Sequence, residues 1–270
     1  MPAPSVPYVL FDDPADMCAR ANQLVRLVRS GPAGTSSLGS GLWDGVLGPA
    51  MLAKAAGTLA SMILLLPAHG VVDAMTLLRA LYEGTVQLSW VAIDPDAHLP
   101  SWYATSSYWE WREHCYWEKA GRGLRSPEEA EELKRDGGTR EDRLPGVPTM
   151  AAEADEHWGT LVPGWSPTSN ADDPGLFSSM RGLYGYIYQR GSAATHARAR
   201  GLDPFLSEVD GKTTIHAETP ASDYHVYALG LYTLAFAIAA AEQSLGWPSW
   251  REATRILGRE AEVFGRPSAP

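Results

Sequence analysis

VVDAMTLLRALYEGTVQLSWVAI, residues Val71–Ile93, decides the fold. Val71, Val72, Ala74, Met75, Leu77, Leu78, Leu81, Tyr82, Val86, Leu88 and Trp90 recur at helical spacing and cover most of the circumference, the pattern of a helix enclosed on nearly every side. Asp73, Thr76, Arg79, Glu83 and Gln87 also recur at three- and four-residue steps and form one polar stripe. A charge buried without a partner costs several kcal/mol or shifts its pKa until it neutralises. The stripe therefore predicts internal partners or a water-filled cleft. Arg79 and Glu83 stand four apart and can pair, although Arg before Glu is the weaker order. Two readings stay open: an ion pair that fixes helix register, and a polar pocket with Glu83 at its wall.

Working outward, apolar spacing is helical almost everywhere. Upstream, Pro49 opens a helix to Leu66, and Pro67-Ala68-His69-Gly70 turns the chain. Before it, Asp12-Asp13 and Pro14 start a helix that runs to about Ser30, and a Gly/Ser-rich linker follows at 31–41. Downstream, Asp94-Pro95 ends the central helix, and an aromatic-rich helix, Ser101–Ala120, follows Pro100. Residues 121–148 form a charged, turn-rich insertion with one short helix after Ser126-Pro127, where Glu128 and Glu129 suit the first turn. Further helices are expected at Thr149–Trp158, Leu176–Arg190, Ala221–Gly246 and Ser249–Gly265, with a loop at Val162–Gly175 and a small hairpin about Asp210-Gly211. The expectation is an all-α bundle of seven to nine helices with two exposed insertions, one domain over residues 1–270.

Composition bounds the function. A chain of 270 residues with 45% hydrophobic and 20% charged residues is globular. A net charge of −10 argues against a bulk electrostatic grip on nucleic acid or an anionic membrane, while leaving room for a local basic patch. Cys18 and Cys115 are too few for a disulfide framework, and the first residues lack a basic, then apolar, leader pattern; a cytoplasmic location is the expectation. Val226–Ala241 is apolar but shorter than the roughly 20 residues a bilayer needs, so it reads as a core helix, with no membrane partner.

Leu176–Leu202 carries Arg181, Arg190, Arg198 and Arg200 and no acidic residue. Tyr184, Tyr186 and Tyr188 interleave with the arginines, and Ser192 and His196 stand four apart. Such a strip on an acidic protein suits an anion or phosphate contact, with Ser192, Arg181, Tyr184, Tyr188 and Arg198 on the substrate side. LLRALYEGTVQLSWVA (Leu77–Ala92), the tyrosine-rich helix after it and the Ser192/His196 pair together resemble a broad family of bacterial all-helical domains of unknown function. That likeness spans about residues 50–200. A looser resemblance is to HEPN domains, helical bundles that often act as metal-independent ribonucleases, whose signature is an arginine, four to six intervening residues and then a histidine. Arg190-Gly-Ser-Ala-Ala-Thr-His196 fits, although Gly191 stands where a polar residue is usual. The HEPN likeness implies His196 as general acid or base, Arg190 holding the scissile phosphate, Glu83 and Arg79 in support, an RNA substrate and a homodimer.

One alternative is a metal-dependent small-molecule enzyme. Glu110, His114 and Glu118 fall at four-residue steps on the aromatic helix, and with His69 and Asp73, also four apart, from a second helix and Glu83 as a further ligand they could hold a di-metal iron or manganese centre. Ordinary surface pairs with Arg112, Glu113 and Lys119 explain the same stripe. A further alternative is a non-catalytic binding or scaffold domain. Phosphate-loop, Rossmann, zincin and paired-cysteine motifs are absent from the sequence, and Trp102, Trp109 and Tyr116, seven apart, read as a helix contact.

Overall fold

The computed structural model describes residues 13–31, 41–65, 70–123, 125–165, 179–195, 206–209, 212–215 and 225–259. Among these residues the chain forms nine α-helices and one two-stranded hairpin, an all-α bundle as the periodicity requires.

Helix α1, Pro14–Ser30, starts where Asp13 accepts the Ala15 N–H and Pro14 supplies a preset φ. It buries Met17, Ala21, Leu24, Val25 and Val28. A π-helical turn at Trp43–Leu47 leads into α2, Gly48–Leu65. Helix α3, Val71–Val91, lies at the centre and packs on α2, on α6 (Val147–Trp158), on α7 (Met180–Thr195) and on α8 (His225–Leu245). Two segments, Trp43–Leu65 and Val226–Leu245, are long and apolar enough to cross a membrane by length and composition, yet the second is mostly enclosed by the other helices. Leu78, Leu88, Leu231, Leu234 and Ile238 are fully buried and define the middle of the core. Burial of such side chains stabilises by about 1.5–3 kcal/mol each.

Helix α4, Pro95–Lys119, corrects the expected start at Ser101: the helix runs through Pro100. Asp94 accepts the Ala97 N–H and Pro95 occupies an early helical position, so the pair that stops α3 also starts α4. Pro100 forfeits one backbone bond, to the Asp96 carbonyl, and its ring faces solvent. Helix α5, Pro127–Asp136, lies in the charged insertion and begins with a reciprocal capping box between Ser126 and Glu129.

Strands β1, Leu206–Val209, and β2, Lys212–Ile215, pair antiparallel with Val209 opposite Lys212, a hairpin on an otherwise helical fold; Asp210 and Gly211 lie outside the described residues. Helix α9, Trp250–Ile256, is shorter than the expected Ser249–Gly265. Gly258 turns at φ +73°, a conformation that ends a helix at little cost only for glycine.

Candidate functional site

The polar stripe of α3 meets α7. Arg79 Nε donates to Glu83 Oε1 at 3.0 Å, and their side chains keep 19% and 31% of their exposure. Arg79 Nη2 lies 3.4 Å from the Tyr188 hydroxyl, and its guanidinium carbon sits 4.5 Å from the centre of that ring. Tyr188 stacks on Tyr184 with ring centres 4.9 Å apart. One guanidinium and two phenol rings thus form a half-buried stack, anchored by Glu83. A Cβ at Gly191 would come within 2.8 Å of Arg79 Cβ and 3.1 Å of the Met75 carbonyl oxygen, so glycine is what lets α7 approach α3 here. Burial, then the neighbouring Tyr188 and Glu83, hold the Tyr184 phenol above its ordinary value, against the opposing pull of Arg79. Tyr184 is therefore a neutral donor at physiological pH.

A second polar node fixes the start of α7. Asp155 on α6 is 2% exposed and accepts three N–H bonds, from Trp165 Nε1 at 2.8 Å, from the Met180 backbone at 2.7 Å and from the Arg181 backbone at 2.7 Å. Burial pushes its carboxyl above the ordinary aspartate value, although the three donors and the Arg181 charge pull the other way. Tyr82 on α3 donates its hydroxyl to the Met180 carbonyl at 2.8 Å, and burial raises its phenol further still. The carboxylate caps the unsatisfied N–H groups of a helix it does not belong to. Asp155 is absent from the residues singled out in the sequence, yet a signal was there: Ala151, Ala154, Asp155 and Trp158 share the buried face of α6, and only one of them is charged.

The structure brings Arg79, Glu83, Tyr184 and Tyr188 together and sets Ser192, half-buried, on the same helix, with Arg181 exposed at its start. Asp73, expected in the stripe, faces solvent, because the stripe straddles the edge of α3 and only its Arg79 side turns towards α7. Arg190 belongs to α7 by its backbone. His196, Arg198, Arg200 and His69 lie outside the described residues.

The stripe on α4 divides. Glu110 pairs with Arg125 at 2.6 Å and Glu118 is exposed, whereas His114 is buried, with Nε2 3.9 Å from Glu118. Glu110, Glu113, His114, Arg125 and Glu129 line a cavity of about 220 Å³ between α4 and the start of α5. Glu83 is not among them, so the expected set of Glu83, Glu110 and His114 does not come together. Among the described residues no three His, Cys, Asp or Glu side chains are grouped to hold a metal ion. Trp109 and Tyr116 are 61% and 67% exposed, which overturns their expected helix contact; α4 leans on α5 through other residues and leaves these rings outside.

No curated protein and no solved structure matches this chain. A family model does, over residues 47–213, the span from the entry into α2 to the second hairpin strand, which holds both the α3–α7 stack and the α4–α5 cavity. The chain belongs to that family, the family of unknown function DUF5677.

Proposed function

We propose that this chain is a metal-independent endoribonuclease that takes single-stranded RNA across the α3–α7 face. The observation that carries the reading is the Arg79–Tyr188–Tyr184 stack: Glu83 holds Arg79 on α3 against the two rings of α7, the helix that bears Arg181 and Arg190 and whose last residue precedes His196 in the sequence. Half-buried phenol rings offer a platform for unpaired bases, and base–aromatic stacking contributes about 1–3 kcal/mol per base. Arginines without acidic neighbours in sequence supply the phosphate contacts, Arg190 and Arg198 among them, with the Ser192 hydroxyl as a further donor. His196 withdraws the proton of the ribose 2′-hydroxyl as that oxygen attacks phosphorus. The P–O5′ bond breaks, and the departing oxygen takes a proton from a protonated histidine of a second copy in a homodimer. Glu83 and Arg79 act as positioning residues that fix the Tyr188 ring. This reading takes the cytoplasm as the working compartment.

The test is cleavage of a single-stranded RNA in EDTA by the native chain and by His196→Ala. Cleavage that persists in EDTA and falls at least 100-fold in the variant supports the reading. Cleavage that needs added metal, survives the substitution or is missing in the native chain overturns it.

One observation favours a second reading: Glu83 and Tyr188 already satisfy Arg79, as a register-fixing ion pair requires. On that reading Arg79→Met and Glu83→Gln lower the melting temperature and leave RNA affinity unchanged.

A further inference from the structure

Glu83 has bonding capacity that its pair with Arg79 leaves unused. Arg79 Nε donates to Oε1 at 3.0 Å, and Oε2 has no hydrogen-bond partner among the described residues. An ionised carboxylate offers about four lone-pair sites on its two oxygens, so most of this capacity is open. The side chain is only partly covered, and a ligand can reach it from the solvent side.

Packing sets that carboxylate beside an aromatic surface. Helices α3 and α7 run antiparallel: Tyr82 meets the Met180 carbonyl, Arg79 meets Tyr188, and Gly191 comes up against Met75 and Arg79. Glu83 lies one turn after Arg79 and Tyr184 one turn before Tyr188, so this register puts the two side by side. The Glu83 charge is accordingly among the causes that raise the Tyr184 phenol. Tyr188 covers one face of Tyr184 at 4.9 Å, and among the described residues no second ring covers the other. The flanks are open too: a Cβ at Gly84, next to Glu83, or at Gly185, next to Tyr184, meets nothing within 4 Å.

An unpaired base that continues the Tyr188–Tyr184 stack can turn its Watson–Crick edge to Glu83. Of the four bases, guanine alone presents two adjacent N–H donors there, N1–H and the 2-amino group, which match the two oxygens of a carboxylate. Adenine and cytosine set a ring-nitrogen acceptor beside their amino group, and uracil flanks its N–H with two carbonyls, so each aims an acceptor at a carboxylate oxygen. Arg79 balances the Glu83 charge, which keeps the pair from repelling the neighbouring phosphates. We infer that Glu83 is a specificity-determining residue that selects guanine in single-stranded RNA, an inference that rests on the proposed reading of the α3–α7 face as an RNA site.

Fluorescence anisotropy on the full chain tests this with short labelled RNAs, uridines around one central guanosine, adenosine, cytidine, uridine or inosine, with 2′-O-methyl riboses to prevent cleavage. The guanosine RNA is expected to bind about tenfold tighter than the adenosine, cytidine and uridine RNAs, within the range that a bidentate base contact supplies. Inosine keeps N1–H and lacks the 2-amino group, and its RNA is expected to lose most of that preference. In Glu83→Gln the amide puts a donor where an acceptor is needed, and the four bases are expected to bind alike. That variant is read only where its circular dichroism matches the native chain; the inosine arm uses the native chain and needs no variant. Equal binding of the four bases, a preference for another base, inosine binding as tightly as guanosine, or a guanosine preference that survives Glu83→Gln each overturn the selection and leave the RNA reading standing. Binding of none of the RNAs overturns the RNA reading, and the selection falls with it.

Discussion

Asp155 shows how one side chain can govern an element it does not belong to. Its two oxygens satisfy Trp165 and the first two N–H groups of α7, and the carboxylate itself is buried. Removing the carboxylate in Asp155→Ala strands three donors at once. A loss of about 3–5 kcal/mol follows, a large share of the roughly 5–15 kcal/mol that holds a domain together. Urea denaturation at neutral pH measures it, and a loss below about 1 kcal/mol would show that water replaces the carboxylate easily. The pH dependence has a definite sign. Burial lifts the native carboxyl above its unfolded value of about 3.9. Between those two values the native state binds the proton more tightly, so stability relative to Asp155→Asn falls as pH rises through that window and is level above it. The sequence carried the clue to burial, an acid on the apolar face of a short helix. It could not reveal the partners, because Trp165 and Met180 lie 10 and 25 residues away and meet Asp155 only through the packing of α6, α7 and the loop between them. Arg79 and Glu83 were legible for the opposite reason: four residues on one helix make a pair before any tertiary contact exists.

Helix boundaries were legible wherever a cap is written locally. Asp13-Pro14 and Ser126-Pro127 mark starts that the structure reproduces, each with a side-chain oxygen on a backbone N–H. Asp94-Pro95 carries the same signature, yet it also ends α3, and Pro100 then suggested a second break. The helix continues because Pro100 is exposed and stands in the second turn, where losing one backbone bond is tolerated by the packing of the segment on α3. Tolerance is not neutrality. Pro100→Ala restores the bond to the Asp96 carbonyl and removes the ring from a helix interior, while the unfolded chain gains freedom that opposes the change. Proline is disfavoured by about 3 kcal/mol within helices, and the unfolded-state effect offsets about 1 kcal/mol. The variant is therefore expected to be more stable by about 1–2 kcal/mol, read as a higher melting temperature with an unchanged m-value. A lower melting temperature would mean that Pro100 shapes a bend which the α3–α4 contact requires.

At the scale of the molecule, charge distribution decides what an acidic helical bundle can bind. The chain carries 32 acidic against 22 basic residues, so its long-range field repels a polyanion. On the proposed reading RNA associates through the strip 176–202, whose sequence has four arginines and no acid. The bundle gives that strip a fixed base, since α7 packs on α3 and α6 and its start is tied down by Asp155. Each phosphate that an arginine neutralises on a single strand contributes about −0.7 to the slope of log affinity against log salt. Two to four arginines in contact give a slope of about −1.4 to −2.8, shallow beside that of a basic nucleic-acid protein. Fluorescence anisotropy with a labelled single-stranded RNA, between 50 and about 300 mM salt, reads that slope directly. Arg181→Gln, which removes an exposed arginine at the head of α7, should flatten it by about 0.7 and leave the melting temperature unchanged. A native slope near zero would remove the strip as a phosphate contact, and a slope steeper than about −4 would demand cations from elsewhere on the surface than the four arginines of this segment.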